Sequence, residues 1–124
     1  MIIIKKIDTS KKTDTKRFVE FYYDLYQDCP QWVSPLFVDA YLPLNRQKHP
    51  FFEHSDADFF IAIKDGKVAV RICVAENKPF NGWHKSKKAH FHLFDTVNDP
   101  EVAKASFDAA EDWARARGLD TMIG

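Results

Sequence analysis

The stretch from Lys88 to Gly124 constrains this chain most, because it reads as a strand, a turn, a helix and the start of another strand. Ala89-His90-Phe91-His92-Leu93-Phe94 alternates small or apolar with polar residues, and its aromatics suit a half-buried strand. Asp95-Thr96-Val97-Asn98 is turn chemistry. Asp99 can cap free helix N–H groups, Pro100 fits the first helical position, and Glu101 favours the positive end of the helix dipole. Ala103, Ser106, Phe107, Ala110, Trp113 and Ala114 keep one face apolar at helical spacing. Arg115 and Arg117 sit in the last turn, and Gly118 supplies the left-handed residue that ends it. Leu119 to Ile123 then begins a further strand. A strand-helix-strand of this length makes a right-handed crossover between parallel strands.

Upstream, Ile2 to Ile7 is a short β-branched strand closed by Asp8-Thr9-Ser10. Thr13 or Asp14 can cap a helix running to about Gln27, with Phe18, Phe21, Tyr22, Leu25 and Tyr26 on its apolar face. A second helix is expected from Ser34 to Leu44, opened by Pro35 and ended or kinked at Pro43. Asp58 to Ile63 and Val68 to Ala75 are strands joined by Lys64-Asp65-Gly66-Lys67, a strong hairpin signal. Glu76 to Lys87 is polar and turn-rich and reads as a surface loop. The order is strand, helix, helix, strand, strand, strand, helix, strand: one α/β domain spanning residues 1–124, with a mixed sheet and helices on both faces.

At 124 residues the chain can bury a real core. Its 18 basic and 18 acidic side chains cancel, which argues against a nucleic acid or an anionic membrane held mainly by whole-chain charge. No apolar run approaches the roughly 20 residues of a membrane span. Met1 to Lys6 has neither the charge order nor the cleavage site of a signal peptide. Cys29 and Cys73 lack CxxC spacing, so a cytoplasmic setting with reduced thiols is expected. The 11 Phe, 4 Tyr and 3 Trp predict a thick aromatic core or a surface that chain or partner covers.

Three segments carry a resemblance: Cys29-Pro30-Gln31-Trp32-Val33-Ser34-Pro35-Leu36, Pro50-Phe51-Phe52-Glu53-His54, and Asn98-Asp99-Pro100-Glu101-Val102-Ala103. They resemble signature segments of an uncharacterised bacterial GNAT-like family, within the N-acetyltransferase superfamily, and the strand-helix order resembles the N-terminal portion of that fold. The resemblance covers nearly the whole chain and implies a fragment stopping at the fifth strand, inactive in isolation. It implies an acyltransferase moving an acyl group from acetyl-CoA to a small-molecule amine, with no metal. Backbone groups of Phe91, His92, Leu93 and Phe94 would hold the pantetheine. The turn Asp95, Thr96 and Asn98 would stand where the family's glycine-rich turn cradles the diphosphate.

That turn departs from the family pattern, having no glycine and no positive charge. Asp95 and Asp99 would face the diphosphate at a cost of roughly 1–4 kcal/mol per charge pair, and Pro100 removes an N–H. The competing expectation is a non-catalytic binding or homo-oligomerisation module, pairing through the last strand or an aromatic surface.

Other candidates have structural alternatives. Glu53 or His54 can act as the general base that deprotonates an amine, or can simply fix the turn beside Phe51 and Phe52. Tyr22, Tyr23 and Tyr26 can line an acceptor pocket, though helical spacing favours core packing for Tyr22 and Tyr26. His90 and His92 share a strand face, with His84, Cys73 and Glu76 as possible neighbours. Without metal-ligand spacing they read as a polar strand face rather than a zinc or iron site. Cys73 follows a β-branched run and reads as a buried small hydrophobe.

Overall fold

The computed structural model describes residues 2–26, 44, 52 and 55–123. The expected second helix, Cys29, Phe51, Glu53 and His54 lie outside the described residues. Leu44, at the end of that helix segment, is buried, and Phe52 packs against the same core.

Five strands form one sheet in the order β1-β2-β3-β4-β5, with β1 at Ile2–Lys6, β2 at Asp56–Lys64, β3 at Lys67–Glu76, β4 at Lys88–Thr96 and β5 at Thr121–Ile123. The first four are antiparallel neighbours, and β4 and β5 run parallel with Lys88 opposite Thr121 and His90 opposite Ile123. Three helices are described: α1 (Lys12–Tyr26), α2 (Lys78–His84) and α3 (Pro100–Ala116). α3 is the crossover between β4 and β5, as the sequence pattern requires.

The β2–β3 hairpin turns on Asp65 (φ 53°) and Gly66 (φ 82°), the two left-handed residues of a tight hairpin turn. α3 starts on Asp99, whose side chain accepts from the Glu101 N–H, with Pro100 following. Its C-terminus closes with Gly118 at φ 75°: the Gly118 N–H donates to Arg115 O and the Leu119 N–H to Ala114 O. Those two bonds satisfy carbonyls that a helix end otherwise leaves without partners.

Alternation along the strands splits the core between two sheet faces. Phe59, Ile61, Cys73 and Ala75 meet Phe18 and Val19 of α1 on one face. Ile72, Val74 and Ala89 meet Ala110 and Ala114 of α3 on the other, and Val70 and Ala62 meet Val102 there. Cys73 is 1% exposed and acts as a small core hydrophobe.

Some local readings shift. Val19 and Val102 are fully buried although neither stood on its helix's expected face. Tyr22 is only half-buried, its ring under the Arg71 guanidinium. Asp14 lies in the first turn of α1, where it accepts from the Asp8 N–H (3.0 Å) and pairs with Lys5 (3.1 Å). These contacts hold its carboxyl below the usual range, the Asp8 N–H first among them.

The largest difference is α2, a helix where a surface loop was expected. Asn77 caps it by accepting from the Phe80 N–H, and Pro79 stands in its first turn. The helix is held down by Asn81. Its side-chain amide donates to Lys88 O (2.9 Å), and its carbonyl oxygen accepts from the Lys88 N–H (3.1 Å). Asn81 thus stands in for a neighbouring strand at the first residue of β4.

Candidate functional site

β4 is the strand on which the chemistry suggested by the sequence converges. Its pairing with β5 covers Lys88 to His90, and from Phe91 to Thr96 that edge has no strand partner among the described residues. The opposite edge carries an irregularity. Arg71 of β3 faces Asp95 and Cys73 faces His92, so β4 spends one more residue than β3 between the two rungs. Leu93 lies in this bulge at φ 51°, a conformation uncommon for a branched side chain. Leu93 packs on the α1-side core that also holds Cys73, the residue opposite His92. The bulge therefore places His92 and Leu93 on one face in succession.

Phe91 and Phe94 turn to the other face and meet Phe107 of α3, with ring centroids 5.1 and 4.7 Å away. This aromatic triplet locks the middle of β4 to the crossover helix. Asp95 returns to the α1 side, where its carboxylate accepts from Arg71 Nε at 2.8 Å. Both side chains are buried, and the guanidinium also lies over the rings of Phe18 and Tyr22 at 5.0 and 4.5 Å. Asp95 is therefore spoken for beneath the sheet and does not face the turn, contrary to expectation.

The turn into α3 is equally committed. The Val97 N–H donates to Ala69 O (2.9 Å) and the Asp99 N–H to Val97 O (2.7 Å). The Glu101 N–H donates to Asp99 Oδ1 (3.1 Å), and the Val102 N–H also bonds this carboxylate. Thr96 Oγ1 donates to Val97 O (2.9 Å), while Asn98 is exposed. Lys64, from the β2–β3 hairpin, brings its ammonium to 2.5 Å from Asp99 Oδ2. The turn lacks a positive charge in sequence but acquires one in space. Lys64 holds the Asp99 carboxyl below the usual carboxylate range, and Asp99 raises the Lys64 ammonium.

His90 and His92 occupy the same face of β4, opposite Ala75 and Cys73. His90 packs edge-on against Phe80 of α2, and its Nδ1 is buried with no hydrogen-bond partner among the described residues. Burial first, and Lys88 second, push its pKa down. Among the described residues no group of three His, Cys, Asp or Glu side chains is placed to hold a metal ion. No helix among them is long and apolar enough to cross a membrane.

The structure thus gathers Phe91, His92, Leu93, Phe94, Asp95, Thr96 and Asn98 along one strand and its exit, while Glu53 and His54 fall outside the described residues. Sequence reasoning missed Arg71 and Lys64. Arg71 had a signal, being the one charged residue inside the run Val68 to Ala75. A charge on a buried strand needs a partner on a neighbour.

No family model matches the chain. Two relatives do in sequence. Protein YghO of Escherichia coli K12 is 32% identical over 113 residues, covering 91% of this chain and 29% of that protein. A bacterial ceramide synthase of Caulobacter vibrioides is 30% identical over 122 residues, covering 95% and 31%. The chain therefore spans under a third of the length of these curated relatives.

Among solved structures, a tandem GNAT protein from the clavulanic acid biosynthesis pathway superposes with a TM-score of 0.76 at 13% identity, over 98% of this chain and 35% of that one. AAC(6')-Iy, solved with a CoA-S-monomethyl-acetylneamine bisubstrate analogue, gives 0.67 at 18% identity over 100% and 79%. A ribosomal-protein-alanine N-acetyltransferase of Brucella melitensis gives 0.64 at 16% identity, over 99% and 78%. A four-stranded antiparallel run with a bulged fourth strand, joined through one helix to a parallel fifth strand, together with these superpositions, gives this chain the fold of the GNAT acetyltransferases.

Proposed function

We propose that this chain is the acyl-CoA-facing part of an N-acyltransferase whose acceptor is the amine of a long-chain amino alcohol. The observation that carries the reading is the β4 edge from Phe91 to Thr96, which among the described residues has no strand partner beyond the short parallel pairing with β5. Such an edge offers backbone groups to the amides of a pantetheine arm by strand-like pairing. The likeness to a bacterial ceramide synthase points to the acceptor class, since a ceramide is a long-chain amino alcohol acylated on nitrogen.

In the transfer, the neutral amine attacks the thioester carbonyl, a C–N bond forms and the C–S bond breaks. The amine's proton goes to a base, and the thiolate leaves to be protonated as CoA. We assign the base to Glu53 or His54, one carboxylate or imidazole being sufficient.

The turn does not fit the diphosphate in the usual way. The N–H groups of Val97, Asp99, Glu101 and Val102 already have acceptors, Pro100 has none to give, and Asp99 puts an anion at the end of the helix. In this reading the pantetheine arm is held along β4 and the diphosphate is not cradled by α3. The same closure favours a second reading, a non-catalytic module of this fold.

Titration calorimetry of the intact protein with acetyl-CoA and octanoyl-CoA separates the two. Micromolar binding, followed by amide formation with sphinganine seen by mass spectrometry, supports the transferase. No heat at millimolar ligand overturns it in favour of the module. Glu53→Gln and His54→Asn identify the base, the correct one losing kcat with binding of acyl-CoA unchanged.

A further inference from the structure

The segment Lys78 to Lys88 has no place in acyl transfer, yet it is built with care. It contains four lysines, one histidine, one tryptophan and no acid, within a chain whose total charge is zero. Trp83 is 85% exposed. Lys78, His84, Lys85 and Lys87 are also exposed, and Lys88 is half-buried. No ion pair joins any of these four lysines to a carboxylate among the described residues, whereas Lys5, Lys6, Lys64 and Lys104 all have one.

Nor is this a loose loop that happens to carry an aromatic. Asn81, on the opposite side of the short helix from Trp83, is buried and holds both backbone groups of Lys88. The Lys78 N–H donates to Ser55 Oγ at 2.9 Å. Phe80 is packed between the rings of His84 and His90 at 4.4 and 4.9 Å. The fold fixes a bare indole in solvent, in a segment whose lysines form no ion pair among the described residues.

We propose that this platform, Trp83 with Lys78, Lys85, Lys87 and Lys88, seats the protein on an anionic phospholipid surface. An indole prefers the boundary between headgroups and acyl chains, having an apolar body and one N–H to leave in the wet layer. Lysines near an anionic leaflet add attraction that fades within a Debye length. The whole-chain neutrality that argued against a membrane partner conceals a local excess of four positive charges. Nucleic acid is the less fitting occupant, because the platform contains no arginine to fork onto phosphates or stack on bases. The proposal stands apart from the acyl-CoA reading, since it is measured with neither donor nor acceptor present.

The test is co-sedimentation of the intact protein with vesicles of phosphatidylcholine alone and of phosphatidylcholine with one quarter phosphatidylglycerol, at 50 and 300 mM salt. Binding to the anionic vesicles that falls at high salt is expected. Trp83→Ala is expected to lose at least about tenfold in partitioning, and Lys85→Ala with Lys87→Ala about twenty-fivefold together. Lys104→Ala with Arg115→Ala, an equal charge change on α3, is expected to keep binding. No partitioning of the wild type, an equal loss in the α3 control, or undiminished binding by the platform variants overturns the proposal. So does binding of single-stranded RNA through these residues with none to vesicles.

Discussion

Arg71 Nε and Asp95 Oδ2 lie 2.8 Å apart beneath the sheet, and they are direct cross-strand neighbours at the exit of the β4 bulge. Their side chains are only 6% and 11% exposed, so neither charge has water to fall back on. The pair ties the end of β4 to α1, because Arg71 also donates to Phe18 O at 3.4 Å and lies over Phe18 and Tyr22.

Removing one partner strands the other. Asp95→Ala is expected to cost about 3–5 kcal/mol, the scale for an uncompensated buried charge. Arg71→Met combined with Asp95→Leu is expected to recover most of that loss. Urea denaturation of the two variants beside the wild type measures both, and a double variant as unstable as the single one contradicts the account.

The Lys64–Asp99 contact has two pH limits. Asp99 titrates lower in the folded chain than its usual 3.8, so its contribution is full above that value and disappears as pH falls through the folded pKa. Lys64 titrates higher than 10.5, so its contribution is full below that value and is lost as pH rises through the folded one. Lys64→Met is expected to flatten the dependence of melting temperature on pH at both extremes and leave it unchanged in shape between them.

His90 acts in the opposite sense to a paired histidine. Its folded pKa is depressed, so the unfolded chain binds the proton more readily and stability falls as pH drops below 6.5. His90→Phe is expected to remove that part of the acid sensitivity, as read by thermal melts between pH 5 and pH 7.5. An NMR titration midpoint for the His90 ring above 6.5 refutes it.

Asn81→Ala deletes the polar bridge to both backbone groups of Lys88 and leaves buried groups without partners. A loss of about 1–3 kcal/mol is expected. Hydrogen exchange is expected to speed up at the Lys88 amide and through α2, while the β2–β3 hairpin keeps its protection.

These contacts also show which parts of the molecule could be read in advance. The hairpin at Asp65-Gly66 and both ends of α3 depend on residues within one turn of each other, so a linear sequence displays them. α2 displayed its cap, Asn77 with Pro79 close behind, but seven residues are too few for an apolar period. The strand β4 and its exit were legible as secondary structure, and their electrostatic arrangement was not. Asp95 and Asp99 looked like two bare acids because their cations arrive from 24 and 35 residues away. Val19 and Val102 were overlooked for a related reason: which side of a helix is pressed hardest depends on the strands it crosses.

The additional residue in β4 sets the phase of everything that follows it. Upstream, even and odd positions serve one assignment of faces, and beyond Leu93 they serve the reverse. Were Leu93 drawn into the ladder as an ordinary strand residue, the last residues of the strand would exchange their surroundings. The Asp95 carboxylate would be thrust among the rings around Phe107, and Phe94 would be driven against the Arg71 guanidinium. Deleting Leu93 outright would instead put Phe94 directly after His92 and leave the acid opposite its cation. One left-handed residue thus decides whether that pair meets, and a β-branched side chain there, which resists such a backbone, would do more harm than losing the residue.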